Sequence, residues 1–139
     1  MTPIEEITLD ELKALVEKSE YTEYGLPVIE YDGCEYLIAL DEEEAFTGCK
    51  EYIEGSAWAF NAGFLAQETN MPIEIFELYQ EKGICDSAND MCLACIEYSC
   101  GLDAFVESAI HWDGRGHFLS CWDGKELELD CGAYAYRIN

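Results

Sequence analysis

VIEYDGCEYLIAL, residues 28–40, is the stretch whose reading decides the fold. Val28 to Tyr31 and Cys34 to Leu40 are short runs rich in β-branched and aromatic residues, and the pair Asp32-Gly33 stands between them. A two-residue loop that reverses a strand needs positive φ angles, and Asp-Gly supplies them at low cost. The stretch reads as a β-hairpin. Two strands alone are marginal in water and require partners from elsewhere in the chain.

Those partners are expected at the far end. His117 to Trp122, the Asp123-Gly124 turn, Glu126 to Leu129 and Ala133 to Ile138 read as a three-stranded meander. Between the two β regions the spacing is helical. Upstream, Thr8 with Glu11 makes a capping box ahead of Leu9, Leu12, Leu15 and Val16. Asp41 is suited to cap a second helix whose first turn holds Glu42, Glu43 and Glu44 and whose apolar side is Phe46, Cys49, Tyr52 and Ile53, with Gly48 and Gly55 weakening it. A stretch with Trp58, Phe60, Phe64 and Leu65 follows, and Asn70-Met71-Pro72 interrupts it. Pro72 opens a further helix with Ile73, Phe76, Leu78 and Tyr79 inward and Gly83 as its terminator. Ser87 is placed to cap the next, which carries Met91, Cys92, Cys95, Ile96 and Tyr98, and a last helix runs from about Leu102 to Trp112. The expected class is α+β: one domain over residues 1–139, with an antiparallel sheet of the N-terminal hairpin and the C-terminal three-stranded meander covered by several helices.

Charge points beyond the fold. Thirty Asp and Glu stand against seven Lys and Arg, a formal net charge of −23 on 139 residues. Residues 19–49, 51–81 and 83–114 contain carboxylates and no cation. Self-repulsion opposes compaction, so such an imbalance serves solubility, long-range repulsion or imitation of a polyanion. A compact chain of this length is about 37 Å across, and about 37 Å of duplex DNA carries roughly 22 charges. The same density excludes direct binding to nucleic acid or to an anionic membrane, because neither has counter-ions to release to this surface. Half the residues are hydrophobic and 13% are aromatic, which is enough core material to fold despite the charge. The acidic N-terminus MTPIEEITLDEL has no apolar core of a signal peptide, and no apolar run approaches the ~20 residues that span a bilayer. The expected location is the cytoplasm.

Eight cysteines without a secretory signal read as reduced thiols, most of them small buried hydrophobes. Cys85, Cys92, Cys95 and Cys100 form the one cluster able to hold zinc, with His111 or His117 as further ligands, but their intervals do not reproduce a zinc ribbon. Cys92 and Cys95 also lie one helical turn apart on an apolar side. A calcium loop is not formed by Asp86-Ser87-Ala88-Asn89-Asp90, which lacks the central glycine and closing glutamate. No metal or cofactor is expected.

The segment from Trp112 to Asn139, WDGRGHFLSCWDGKELELDCGAYAYRIN, is the most motif-like. Through Asp113, Gly114, Arg115, Gly116, His117, Asp123, Gly124, Tyr134, Tyr136 and Arg137 it resembles a C-terminal module of small, mostly uncharacterised proteins of bacteriophages and mobile elements. The resemblance covers about the last fifth of the chain and implies a source rather than a reaction. Asp113, Arg115 and His117 can be read as an acid, a cation and an imidazole gathered for acid–base work, or as a glycine-permitted turn with local bonds.

The expectation for function is a phage or mobile-element anti-defence protein, of anti-CRISPR or antirestriction type and not an enzyme. It would act as a DNA mimic on the basic nucleic-acid-binding surface of a host nuclease or effector complex, in the cytoplasm of an infected bacterial cell. The partner-binding residues are Asp41, Glu42, Glu43, Glu44, Glu51, Glu54, Glu74, Glu77 and Glu81, with Glu20, Glu23, Glu30 and Glu35 extending the field. Trp58, Trp112 or Trp122 would anchor the interface if exposed. The alternatives are a zinc-binding regulator built on the central cysteines and a small enzyme using Asp113, Arg115 and His117.

Overall fold

In the computed structural model, which describes residues 2–82 and 85–139 apart from the side chains of residues 82, 85 and 86, the hairpin lies at the heart of the sheet. β2 (Leu26–Tyr31) and β3 (Cys34–Ala39) pair with Val28 opposite Leu37 and Tyr31 opposite Cys34. Asp32 and Gly33 close the turn with φ angles of 51° and 76°, the left-handed geometry the dipeptide was suited to. A short β1 (Thr22–Glu23), which the sequence did not announce, flanks β2. On the other side β5 (Tyr134–Arg137) pairs with β3, and β4 (Leu127–Glu128) with β5. The antiparallel order is β1-β2-β3-β5-β4, and the fold is α+β.

Alternation along the strands sends side chains to two different cores. Leu26, Val28, Leu37, Ala39 and Tyr136 face the large core, with residues of the helical layer. Ile29, Tyr36, Ile38 and Ala135 face a smaller core with Ile4, Ile7, Leu12, Leu129 and Ala133. β3 is therefore apolar on both faces over Tyr36–Ala39, as a central covered strand should be. α1 (Leu9–Glu17) covers the smaller core, and its N-terminus is fixed by Thr8, whose Oγ1 accepts from the Glu11 N–H at 3.2 Å.

The helical layer holds α2 (Glu42–Ser56), a 3-10 turn (Ala57–Ala59), α3 (Ala62–Thr69), α4 (Ile73–Lys82), α5 (Cys85–Ser99), α6 (Leu102–Asp113) and α7 (Arg115–Leu119). Gly48 is not a weak point in α2. It is buried, and a Cβ there would stand 2.7 Å from Leu26 Cδ1, so its lack of a side chain lets α2 meet the sheet. Asn70, at φ 54°, ends α3 ahead of Pro72.

Three expectations need correction. The segment His117–Trp122 is not a strand: it forms the end of α7 and a turn, so the C-terminal meander has two of its three strands. Phe118 and Leu119 are consecutive and both lie in the large core, which a strand sending successive side chains to opposite faces cannot arrange and a helix against α2 can. Ser87 does not cap α5, which starts at Cys85, and Gly83 lies outside the described residues. Of Ile73, Phe76, Leu78 and Tyr79, expected inward, Phe76 is buried and Tyr79 partly so, while Ile73 and Leu78 are exposed; on α5, Tyr98 is almost wholly exposed at 96%.

Candidate functional site

The expected partner-binding carboxylates fall in two rows, one on each of two helices. Asp41 caps α2, its Oδ1 accepting from the Glu44 N–H at 2.8 Å, and Glu44 turns back to accept from the Leu40 N–H at 3.3 Å. These two are committed to the helix start. Glu42 accepts from the Tyr134 hydroxyl at 3.3 Å. Glu43, Glu51 and Glu54 are exposed and recur at helical spacing along the solvent side of α2, with Glu51 lying over Gly25 of the β1–β2 turn. On α4, Glu74, Glu77 and Glu81 share an exposed side with the half-exposed Leu78. α2 and α4 both pack on α5 and on the 3-10 turn.

Few cations answer these carboxylates. Among the described residues two ion pairs form, Lys50 to Asp103 at 2.8 Å and Arg115 to Glu126 at 2.7 Å. Neither involves a carboxylate of the two rows. Both arginines are also stacked, Arg115 over Tyr134 at 4.6 Å and Arg137 over Trp122 at 4.1 Å.

The DGRGH segment is divided by its geometry. Asp113 ends α6, Gly114 turns the chain at φ 83°, and α7 starts at Arg115. Gly116 is required because a Cβ would lie 2.5 to 2.7 Å from the backbone of Gly124, Lys125 and Glu126. That contact brings Glu126 to Arg115, and the same Glu126 oxygen accepts from the Tyr136 hydroxyl at 2.5 Å. Burial works against the Arg115 charge, but the hydrogen bond and charge of Glu126 outweigh it and raise its pKa. Burial and then Glu126 push the Tyr136 phenol up. Ser120 and Asp123 complete the lock: the Ser120 hydroxyl is 2.7 Å from the Arg137 carbonyl and 2.9 Å from Asp123 Oδ1, which also accepts from the Lys125 N–H. The Arg115, Tyr134 and Tyr136 side chains are thus structural.

Asp113 and His117 go the other way. They line an open cleft of about 190 Å³ with Tyr52, Asn61, Phe60 and Phe118. Arg115 is not among its lining residues, so the acid, cation and imidazole expected at one point are not gathered there. The rings form a chain of contacts, Tyr52 to Phe118 at 5.7 Å and Phe118 to Phe60 at 6.0 Å. The cleft wall is pinned. Gln80 Nε2 donates to the Trp58 and Phe60 carbonyls, Asn89 accepts from the Trp58 N–H and donates to the Glu54 carbonyl, and Asn61 Oδ1 accepts from Gly63 and Phe64. No single sequence motif marks this cleft, since its members come from four elements: Asp113 and His117 stand out in the DGRGH segment, but nothing in the sequence joins them to Tyr52, Phe60 and Asn61.

Cys92 and Cys95 sit in the large core, and Cys100 lies partly buried against it with its thiol 3.6 Å from the Ile96 carbonyl. Burial raises the Cys95 pKa, and burial with Cys95 beside it pushes Cys92 up to about 11. Cys49 rises to about 12, again through burial. Such thiols are poor metal ligands and poor nucleophiles at neutral pH. Among the described residues no group of three His, Cys, Asp or Glu side chains converges as a metal site, and the Cys85 side chain lies outside them. No described helix is long and apolar enough to cross a membrane. Comparison of the chain with protein-family models, with curated proteins and with solved structures gave no match.

Proposed function

We propose that this chain is a polyanionic decoy: a phage or mobile-element anti-defence protein, of anti-CRISPR or antirestriction type, that occupies the basic nucleic-acid-binding surface of a host nuclease or effector complex. The observation that carries this reading is the exposure of Glu43, Glu51, Glu54, Glu74, Glu77 and Glu81 on two helices, none of them in an ion pair among the described residues. An ordinary surface mixes signs and pairs them. Here the two described ion pairs lie elsewhere, leaving both rows without a paired cation among the described residues. Such a row presents to a basic groove what a phosphate backbone presents, and association is steered by the field and weakened by salt. Action is by occlusion and needs no reacting group. Exposed Trp112 and Trp122 supply apolar contact at the margin; Trp58 is half-buried against the core and is no anchor.

The test is capture of nucleases and defence complexes from a bacterial lysate at low and high salt, followed by challenge with duplex DNA. Release by salt and displacement by DNA are expected. The variant carrying Glu43→Gln, Glu51→Gln and Glu54→Gln leaves the Asp41–Glu44 cap intact and should weaken capture by at least about tenfold. Capture that resists salt and DNA, or that the triple variant retains in full, refutes the proposal.

A further inference from the structure

The cleft between α2, the 3-10 turn, α6 and α7 has a chemistry that the decoy rows do not use. Its walls are the rings of Tyr52, Phe60 and Phe118, and its rim carries the Asp113 carboxylate. Ring faces are electronegative and attract cations. Asp113 is the last residue of α6, where the free carbonyl ends of the helix add negative potential to its own charge. Asp113 is separated from the start of α7 by Gly114 alone, and among the described residues it has no ion-pair partner and no side-chain hydrogen bond. Ring faces and a carboxylate with no ion-pair partner among the described residues therefore meet at one notch.

We infer that this cleft is a binding site for a guanidinium group, namely an arginine side chain presented by the protein partner. Its volume of about 190 Å³ is below the roughly 300–1,000 Å³ of small-molecule sites and suits a single side chain. A planar guanidinium stacks on aromatic faces while its fork engages a carboxylate, which an ammonium does not do. The chain shows this chemistry twice within itself: both of its own arginines lie on aromatic rings, at 4.6 and 4.1 Å, and Arg115 also reaches a carboxylate. The cleft repeats that arrangement with no arginine of the chain to fill it. Gln80, Asn89 and Asn61 hold the wall by hydrogen bonds to its backbone, so the notch is formed before an occupant arrives. The identity of the occupant as a partner's arginine rests on the decoy reading, since a nucleic-acid-binding surface is where arginines are presented outward; the guanidinium site itself does not.

The experiment is an amide NMR titration of the full chain with N-acetyl-arginine-N-methylamide, beside its citrulline and lysine counterparts. The citrulline compound has the same shape without charge, and the lysine compound the charge without the plane. The arginine compound should produce saturable shifts confined to the surroundings of Asn61, Asp113 and His117, with a dissociation constant on the order of millimolar. Asp113→Asn, a change at an exposed position, should weaken it about tenfold. Equal binding of the citrulline or lysine compound, unchanged binding to Asp113→Asn, or shifts spread along α2 and α4 without saturation would overturn the assignment. No partner is in the tube, so failure here leaves nuclease occlusion standing. Success here beside failed nuclease capture would keep the guanidinium site and remove the decoy reading.

Discussion

Gly116→Ala is the most demanding single test of the C-terminal architecture. Helix propensity alone favours alanine by about 1 kcal/mol, so a reading of local sequence predicts a gain. The structure predicts the opposite. An alanine Cβ would stand 2.5 Å from the Lys125 carbonyl carbon, 2.6 Å from the Gly124 oxygen and 2.7 Å from the Glu126 nitrogen, all backbone atoms with no rotamer to yield. Restoring ordinary contact requires the loop to retreat by nearly 1 Å. Glu126 moves with it, away from Arg115 at 2.7 Å and Tyr136 at 2.5 Å. Overpacking of this kind costs about 1–3 kcal/mol, and weakening a charge-assisted bond to a half-buried group costs about 1.5–3 kcal/mol more. After the propensity gain the net loss is about 1.5–5 kcal/mol. Urea unfolding at neutral pH reads this directly, with Gly55→Ala as the control: Gly55 is also helical, its Cβ would meet nothing within 4 Å, and it should stabilise by up to ~1 kcal/mol. A Gly116→Ala protein as stable as the parent would refute the packing of the 124–126 loop on α7 and, with it, the structural account of the DGRGH segment.

Two further outcomes follow from charge and burial. Because −23 charges repel one another, raising NaCl from ~0.01 M to ~0.1 M, which shortens the screening length from about 30 Å to about 10 Å, should raise Tm by several degrees in differential scanning calorimetry; a flat or falling Tm would mean that the carboxylates are compensated. Burial lifts the Cys49 thiol to about 12 from 9.0, so the native state keeps its proton while the unfolded state releases it. The stability this represents is complete below pH 9 and is lost as pH rises towards 12, by up to ~1.4 kcal/mol per pH unit. Urea midpoints across that alkaline window should fall less steeply in Cys49→Ala, and an identical slope would show the thiol to be accessible.

How much of this was readable in the chain depends on the range of the interaction. The Asp32-Gly33 turn and the Thr8 and Asp41 caps rest on residues within four positions of one another, the α+β class on the run of such local patterns along the chain, and the structure has each of them. The reading failed where neighbours distant in sequence decide the outcome. HFLSCW carries aromatic residues ahead of an Asp-Gly turn, as a strand does, but Gly116 pressed on residues 124–126 and Phe118–Leu119 pressed on α2 make it helix and turn. Apolar spacing placed Ile73 and Leu78 inward with Phe76, yet a ten-residue helix on the margin of the layer buries a narrow stripe and leaves them exposed among glutamates. β1, two residues long, has no pattern to read.

The same distinction separates the two candidate sites. The acidic rows needed only composition and helical spacing, because repulsion keeps carboxylates on the solvent side and a shortage of cations leaves them unpaired wherever the helices go. The cleft needed tertiary structure, since Tyr52, Phe60, Asp113 and Phe118 are brought together by α7 folding back on α2 and by the pinned 3-10 turn. Arg115, the cation of the Asp113, Arg115 and His117 set, turns inward with Tyr136 to hold that fold-back in place. What they hold in place is the exposed pair beside them: the lock at Glu126 sets the position of α7, α7 carries His117 and Phe118 to the cleft, and Asp113 reaches it from the end of α6. A segment with the look of an active site therefore includes a clamp, and it is the cleft beside that clamp which we propose receives a guanidinium.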